Sequence, residues 1–242
     1  MTKVLKAKNL VKKYGDFYAV NDIDLNLNKG EVVGLLGPNG AGKTTTFYMI
    51  TGMIRPSSGK IIFENEDITK FPMYMRARMG IGYLAQEPSI FGKLNVEDNL
   101  KIVLETIIQD KDEQNELIDR LLNEFNISHI RYNMGAGLSG GERRRVEICR
   151  TLALKPDFVL LDEPFAGVDP IAVEDIQNMI ISLKKQNIGV LITDHNVRET
   201  LSITDRSYLL YDGKILKSGD AETLANDEEV RKLYLGKKFR LD

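Results

Sequence analysis

The 242-residue sequence predicts an α/β fold, and three observations predict it. Short apolar runs recur along the chain: Val32–Leu36, Ile81–Ala85, Phe158–Leu161 and Val190–Thr193. Four or five consecutive apolar residues suit strands buried on both faces, as in a parallel sheet. Between the runs, apolar residues recur three and four apart, the period of amphipathic helices. The third observation is the stretch Gly37-Pro38-Asn39-Gly40-Ala41-Gly42-Lys43-Thr44. It reads G-x-x-x-x-G-K-T, with an apolar run before it and Thr45-Thr46-Phe47-Tyr48-Met49-Ile50, able to open a helix, after it. Glycines let the backbone turn its N–H groups inward around an anion, and the helix start adds partial positive charge. Lys43 has the reach for β- and γ-phosphates, and the Thr44 hydroxyl, followed by Thr45, can hold Mg²⁺.

Composition sets the bounds. The chain is 43% hydrophobic and 28% charged, which fits one large α/β domain or one domain with an inserted subdomain. The net charge of −2 offers no basic excess, so nucleic acid is not the expected partner. The first residues, Met1-Thr2-Lys3-Val4-Leu5-Lys6, lack the apolar region of a signal peptide, and no uncharged stretch is long enough to span a bilayer. A cytoplasmic protein is expected. Cys149 is the single cysteine; among Val146, Ile148 and Leu152 it reads as a small packed residue.

Residues 3–14 alternate loosely as a strand, and Ile23, Leu25 and Leu27 alternate with Asp24 and Asn26 as a clearer half-buried one. Tyr14-Gly15 lies between them, with Phe17 and Tyr18 close behind. An aromatic just upstream of the phosphate loop can stack on a base; it can equally be packed in a core. After the loop helix, Thr51 to Gly59 is a Pro/Ser/Gly turn and Lys60-Ile61-Ile62-Phe63 a strand. Arg76 and Arg78 belong to a short helical piece with three methionines, and the expectation for both is a solvated surface.

The run Ile81–Ala85 ends in Gln86, which a parallel strand would carry to the phosphate end of the sheet, within reach of Mg²⁺ or the attacking water. Asn95 can cap a helix in which Leu100, Val103, Leu104, Ile107 and Ile108 form one apolar stripe; Leu117, Ile118, Leu121, Leu122 and Phe125 form a second. These residues make a helical insert. Ahead of it, Pro88-Ser89-Ile90-Phe91-Gly92 places two large apolar residues in a loop, either tucked into the insert or offered to a partner. His129 reads as a surface histidine.

Leu138-Ser139-Gly140-Gly141-Glu142 leads into Arg143-Arg144-Arg145-Val146-Glu147-Ile148. Ser-Gly-Gly before a helix is a second anion-binding helix start by the same physics as the first, or a glycine-rich linker with a serine cap. The three arginines, flanked by Glu142 and Glu147, read as a solvated, ion-paired helix face. The run Phe158–Leu161 ends in Asp162-Glu163-Pro164. Two acids at a buried strand tip are costly unless a cation or polar network offsets them. One can hold Mg²⁺ through water and its neighbour can orient or deprotonate a second water. Asp169-Pro170 caps a helix with the stripe Ile176, Met179, Ile180, Leu183. Val190–Thr193 ends in Asp194-His195, where the histidine is either a γ-phosphate contact or an ordinary loop residue. Tyr208–Tyr211, Asp212-Gly213 and Lys214–Leu216 form a hairpin. Two short helices and the tail Leu235-Gly236-Lys237-Lys238-Phe239-Arg240-Leu241 complete the chain.

Phosphate loop, Gln86, Leu138–Glu142, the acidic strand, Asp169 and His195 occur in the order and at the separations of ABC-type ATPases, which the sequence resembles over essentially its whole length. Within them it looks like the ATPases of lipopolysaccharide-export transporters. Gly34–Met49, Ser89-Ile90-Phe91, Gly140–Arg150, Pro164–Pro170, Thr193–Leu201, Tyr234-Leu235-Gly236 and Phe239-Arg240 carry that likeness. ATPases of branched-chain amino-acid importers share the general motifs and are the alternative.

The resemblance implies a P-loop core with a mixed central sheet and an N-terminal antiparallel β part. Core residues would be 1–86 and 158–220, with a helical insert at 87–157 and C-terminal helices and tail at 221–242, all in one domain. It implies ATP and Mg²⁺ as ligands, with Gly37–Thr45 around the phosphates and Tyr14 on adenine. Thr44, Gln86 and Asp162 would serve the metal, Glu163 would be the general base and His195 the γ-phosphate sensor. Ser139, Gly140 and Gly141 would meet the nucleotide held by a second copy of the chain. Phe91 would mark a groove for integral membrane subunits. Gly92 is a departure, since a larger basic residue is expected there in relatives. The function implied is ATP hydrolysis on the cytoplasmic face of the inner membrane, powering lipopolysaccharide extraction and export.

Overall fold

The computed structural model describes residues 3–236 and 239–241; Met1, Thr2, Lys237, Lys238 and Asp242, which include parts of the two terminal stretches, lie outside them. The N-terminal alternation becomes two long strands, β1 (Val4–Tyr14) and β2 (Phe17–Asn28). With β4 (Ser58–Phe63) and β5 (Glu66–Asp67) they form an antiparallel sheet ordered β2-β1-β4-β5. The apolar runs become β3 (Val32–Leu36), β6 (Ile81–Leu84), β7 (Phe158–Asp162) and β8 (Gly189–Thr193). Together with the hairpin β9 (Arg206–Tyr211) and β10 (Lys214–Gly219) they build a six-stranded sheet, β10-β9-β3-β8-β7-β6. All its pairings are parallel except β9–β10, so the sheet is mixed.

Alternate residues of β7 and β8 enter different cores, which is why the runs lack polar positions. Leu160 and Leu191 pack towards the antiparallel sheet and helix α1 (Lys43–Thr51). Val159, Leu161, Val190 and Ile192 pack towards the helical side. That side holds α3 (Val96–Leu104), α4 (Lys111–Glu124), α5 (Gly140–Leu152) and α6 (Pro170–Lys185); α2 is the short Met73–Arg78 helix. The stripe on α4 is buried as read, but α3 stops at Leu104, and Ile107, read as part of its stripe, is exposed. Beyond the helix end the 3.6-residue period no longer governs which way a side chain points. A third core joins Leu36, Leu201, Leu209, Leu224 and Val230 with Tyr234, Leu235 and Phe239. Among the described residues no helix is long and apolar enough to cross a membrane.

Arg76 corrects the surface expectation: it is 1% exposed. Its guanidinium donates to the carbonyls of Met49 (2.7 Å), Ile50 (2.6 Å), Phe71 (2.9 Å) and Thr69 (3.0 Å). Met49 and Ile50 end α1, so a cation closes the carbonyl end of the helix whose other end is the phosphate loop. Burial lowers its pKa to about 10, which leaves it charged at neutral pH. Arg76→Met should cost about 3 kcal/mol of unfolding free energy, because several charge-assisted bonds vanish and buried carbonyls are left unpaired. Urea unfolding measures this, and a loss below about 1 kcal/mol would show that water replaces the guanidinium.

Candidate active site

Four adjacent parallel strands, β3, β8, β7 and β6, point their carboxyl ends the same way. In open α/β sheets this edge is where ligands bind. After β3 comes the glycine loop, after β8 His195, after β7 Glu163, and after β6 Gln86. Strand order thus brings together residues far apart in the chain.

The loop is shaped by glycines that nothing else can replace. Gly42 has φ 97°, and a Cβ there would lie 2.5 Å from the Ala19 carbonyl oxygen; at Gly37 it would lie 2.3 Å from that of Leu210. Gly42 caps α1 and so brings no side chain of its own to the N–H groups of the helix start, where an anion can bind. Lys43 is buried and turned onto the loop itself, donating to Gly37 O (2.7 Å) and Pro38 O (3.0 Å). Burial lowers its pKa, while Glu163 and Asp162 pull it back up. The Gly37 N–H is directed to the Tyr234 hydroxyl, a link to the C-terminal segment that local sequence patterns do not signal.

A pocket of about 360 Å³ opens above the loop, lined by Tyr14, Phe17, Ala19, Asn39–Thr45, Glu163 and His195. Tyr14 and Phe17 face each other across the β1–β2 turn, and both are exposed. Tyr14 is therefore a rim aromatic and not a core one. Phe17 completes the rim; its place opposite Tyr14 in a hairpin was the signal for it.

The acids at the tip of β7 differ sharply. Asp162 is buried; its Oδ2 accepts from the Tyr83 hydroxyl at 3.4 Å, and its Oδ1 has no hydrogen-bond partner among the described residues. Burial, then the neighbouring Glu163, raises its pKa. Glu163 is held from two sides: Gln86 Nε2 donates to its Oε2 at 2.7 Å, and His195 Nε2 lies 2.7 Å from its Oε1. Its φ of 47° is left-handed, unusual for a residue with a side chain and more so before a proline. Such strain gathers at functional sites, where the surroundings over-determine it.

Ser139, Gly140 and Gly141 are not in this pocket. They start α5, where Ser139 and Glu142 form a capping box: the Ser139 hydroxyl accepts the Glu142 N–H (3.3 Å), and the Glu142 carboxylate takes the Ser139 N–H (2.8 Å). An internal carboxylate thus sits on this helix start. Of the three arginines read as a solvated face, Arg145 pairs with Asp175 at 2.8 Å and is part-exposed, but Arg144 is 6% exposed. It donates to the carbonyls of Ala85 (2.7 Å) and Asp162 (3.1 Å) and pairs with Glu147. Those bonds tie α5 to the strand ends carrying Gln86 and Glu163, and they offset a burial that lowers its pKa.

The Ser89–Phe91 loop is pinned from behind. Glu147 accepts the N–H groups of Ser89 and Ile90, and Asn99 bonds both backbone groups of Phe91. Ile90 packs on the helical core, while Phe91 stays 48% exposed beneath the Arg150 guanidinium. The two apolar residues therefore divide, one tucked and one offered. A Cβ at Gly92 would find Ala136 at 3.4 Å, so space does not demand glycine there.

Residues 20–166 match the family described as ABC transporter. The chain is 56% identical over 240 residues to the lipopolysaccharide export system ATP-binding protein LptB of Haemophilus influenzae, covering 98% of this chain and 99% of that protein. It is 53% identical over 238 residues to the protein of the same name in Escherichia coli (98% and 99% covered). Among solved structures, the ADP conformation of an ATP-binding cassette of an ABC transporter superposes with a TM-score of 0.87 at 30% identity, covering 98% of this chain and 100% of that one. With the phosphate loop, the acidic strand and the mixed sheet in place, the chain belongs to the ABC transporter family, as one of its ATP-binding, ATP-hydrolysing cassettes.

Proposed function

We propose that this chain is the motor subunit of a lipopolysaccharide exporter, working on the cytoplasmic face of the inner membrane as a pair of identical copies. The observation that carries the proposal is the Glu163 carboxylate, bridged by Gln86 and His195 beside an uncapped phosphate loop, in a chain more than half identical over its length to a protein named for lipopolysaccharide export. That name favours the exporter over the amino-acid importer alternative.

Tyr14 stacks on adenine, the N–H groups of Asn39, Gly40 and Gly42–Thr45 surround the phosphates, and Lys43 leaves the Gly37 and Pro38 carbonyls for the β- and γ-phosphate oxygens. Mg²⁺ fits the residues present: Asp162 Oδ1, buried and without a hydrogen-bond partner among the described residues, the Thr44 hydroxyl and the amide oxygen of Gln86. When bound it neutralises charge on the phosphates. Glu163 orients or deprotonates the attacking water, and His195 contacts the γ-phosphate from the adjacent strand. The second helix start, Ser139–Gly141, serves the nucleotide of the partner copy, so each complete site needs two chains. ATP then closes the pair and hydrolysis releases it. Phe91, exposed on a rigid loop, anchors the membrane subunits.

The deciding experiment is to identify the membrane proteins that co-purify with the chain from detergent extracts. Lipopolysaccharide-export subunits are expected; amino-acid permease subunits would overturn the cargo. The paired site carries its own prediction. Turnover per molecule of the isolated chain should fall on dilution, since half-sites do not hydrolyse alone. Phosphate release measured over a hundredfold protein range tests it, and constant specific activity with no detectable dimer would refute the shared site.

A further inference from the structure

Asp194 is 2% exposed, and a buried carboxylate demands partners. Among the described residues it has two hydrogen-bond partners, both backbone N–H groups of the segments that carry the Glu163–His195 contact. Oδ2 accepts the Phe165 N–H at 2.9 Å, two residues beyond Glu163. Oδ1 accepts the Asn196 N–H at 2.8 Å, on the far side of His195. The second bond is an Asx turn, which bends the chain at the end of β8, with His195 at its centre. The first anchors the chain just after the strained Glu163. The β7–β8 ladder ends here too, with the Glu163 N–H donated to Thr193 O at 2.7 Å. Arg144, buried beside them, has its charge supported by Asp194.

We propose that Asp194 is a positioning residue for ATP hydrolysis: one carboxylate clasps the backbone on both sides of the Glu163–His195 pair and fixes their 2.7 Å approach. This rests on the roles proposed for Glu163 and His195 in hydrolysis. Asp194 touches no substrate; it acts by denying the two strand ends independent motion. Both bonds run to a carboxylate, the one from Phe165 fully buried and the one from Asn196 part-buried, which makes them stronger than bonds to a neutral acceptor.

The test is Asp194→Asn. The amide is isosteric but keeps a single acceptor oxygen, and its NH₂ faces the second N–H. One segment must let go. A displacement of about 1 Å in a catalytic geometry costs on the order of 10²-fold in rate. The expected result is therefore a kcat lower by about 10²-fold with KM for ATP within about twofold, because the phosphate loop and Tyr14 are untouched. A merely structural lesion would not split the two constants in this way. Groups that act as a unit are non-additive, so adding Asp194→Asn to Glu163→Gln should slow turnover by less than about threefold more. A rise in KM at constant kcat, near-normal kcat in Asp194→Asn, or a full multiplicative loss in the double variant would each overturn the inference. Normal turnover in Glu163→Gln would instead sink the assignment of the base. If Asp194→Asn does not fold, amide exchange in the unaltered protein still decides: the Phe165 and Asn196 N–H groups should both exchange slowly, and fast exchange at either would end the proposal.

Discussion

Glu163→Gln is expected to keep ATP binding and to lose about 10²–10⁴-fold in turnover, the usual share of a general base. The substitution preserves shape, and the backbone at this position, with its φ of 47°, is set by the ladder bond to Thr193 and not by the side chain's charge. An amide can still meet Gln86 on one side and His195 on the other. What it cannot do is accept a proton from water. Binding should be retained because no atom of the loop changes, and because Glu163 adds negative charge next to the triphosphate that the variant lacks. Unspent ATP should also hold two copies together, so the variant should elute as a dimer with ATP and as a monomer without it. Phosphate release and an ATP titration check the first expectation, and size-exclusion chromatography the second. Turnover within a few-fold of the original would remove Glu163 from the role.

Much of this site is legible in the sequence because its parts sit at ends of elements whose interiors have a strong period. Val32–Leu36 and Phe158–Asp162 are buried on both faces, so they announce themselves as parallel strands, and the residues just beyond each must lie on one sheet edge. The α4 stripe is legible for the same reason. Position within the sheet is not: the contact of Gln86 with Glu163, 77 residues on, depends on strand order, which no local pattern encodes. Nor do patterns separate Arg76 and Arg144 from surface arginines. A buried guanidinium is offset by carbonyls brought from other elements, Met49 and Thr69 in one case and Ala85 and Asp162 in the other, and periodicity is blind to them. Asp194 is hidden likewise, since an acid after a strand is ordinary until the Phe165 N–H is found against it.

Lys43→Ala should weaken ATP binding roughly 30- to 5,000-fold, the range that corresponds to about 2–5 kcal/mol for truncating one partner of a desolvated charge pair. The size of the effect rests on where Lys43 stands. Its ammonium is buried and its pKa is lowered by that burial, while Glu163 and then Asp162 act against the shift. In the structure it is satisfied by Gly37 O and Pro38 O. Its move to phosphate therefore exchanges two neutral carbonyls for anionic oxygens, and only that difference enters the affinity. The substitution has a second consequence: with the cation gone, Asp162 and Glu163 face the triphosphate with no positive charge of the loop between them, which adds repulsion to the lost attraction. Losses towards the upper end are expected at low Mg²⁺ and smaller ones at high Mg²⁺, where the metal takes over part of the neutralisation. Calorimetric ATP titrations at two Mg²⁺ concentrations, with thermal unfolding as the control for an intact loop, measure both. An affinity unchanged by Lys43→Ala would mean that the triphosphate does not lie along the Gly37–Thr45 loop at all.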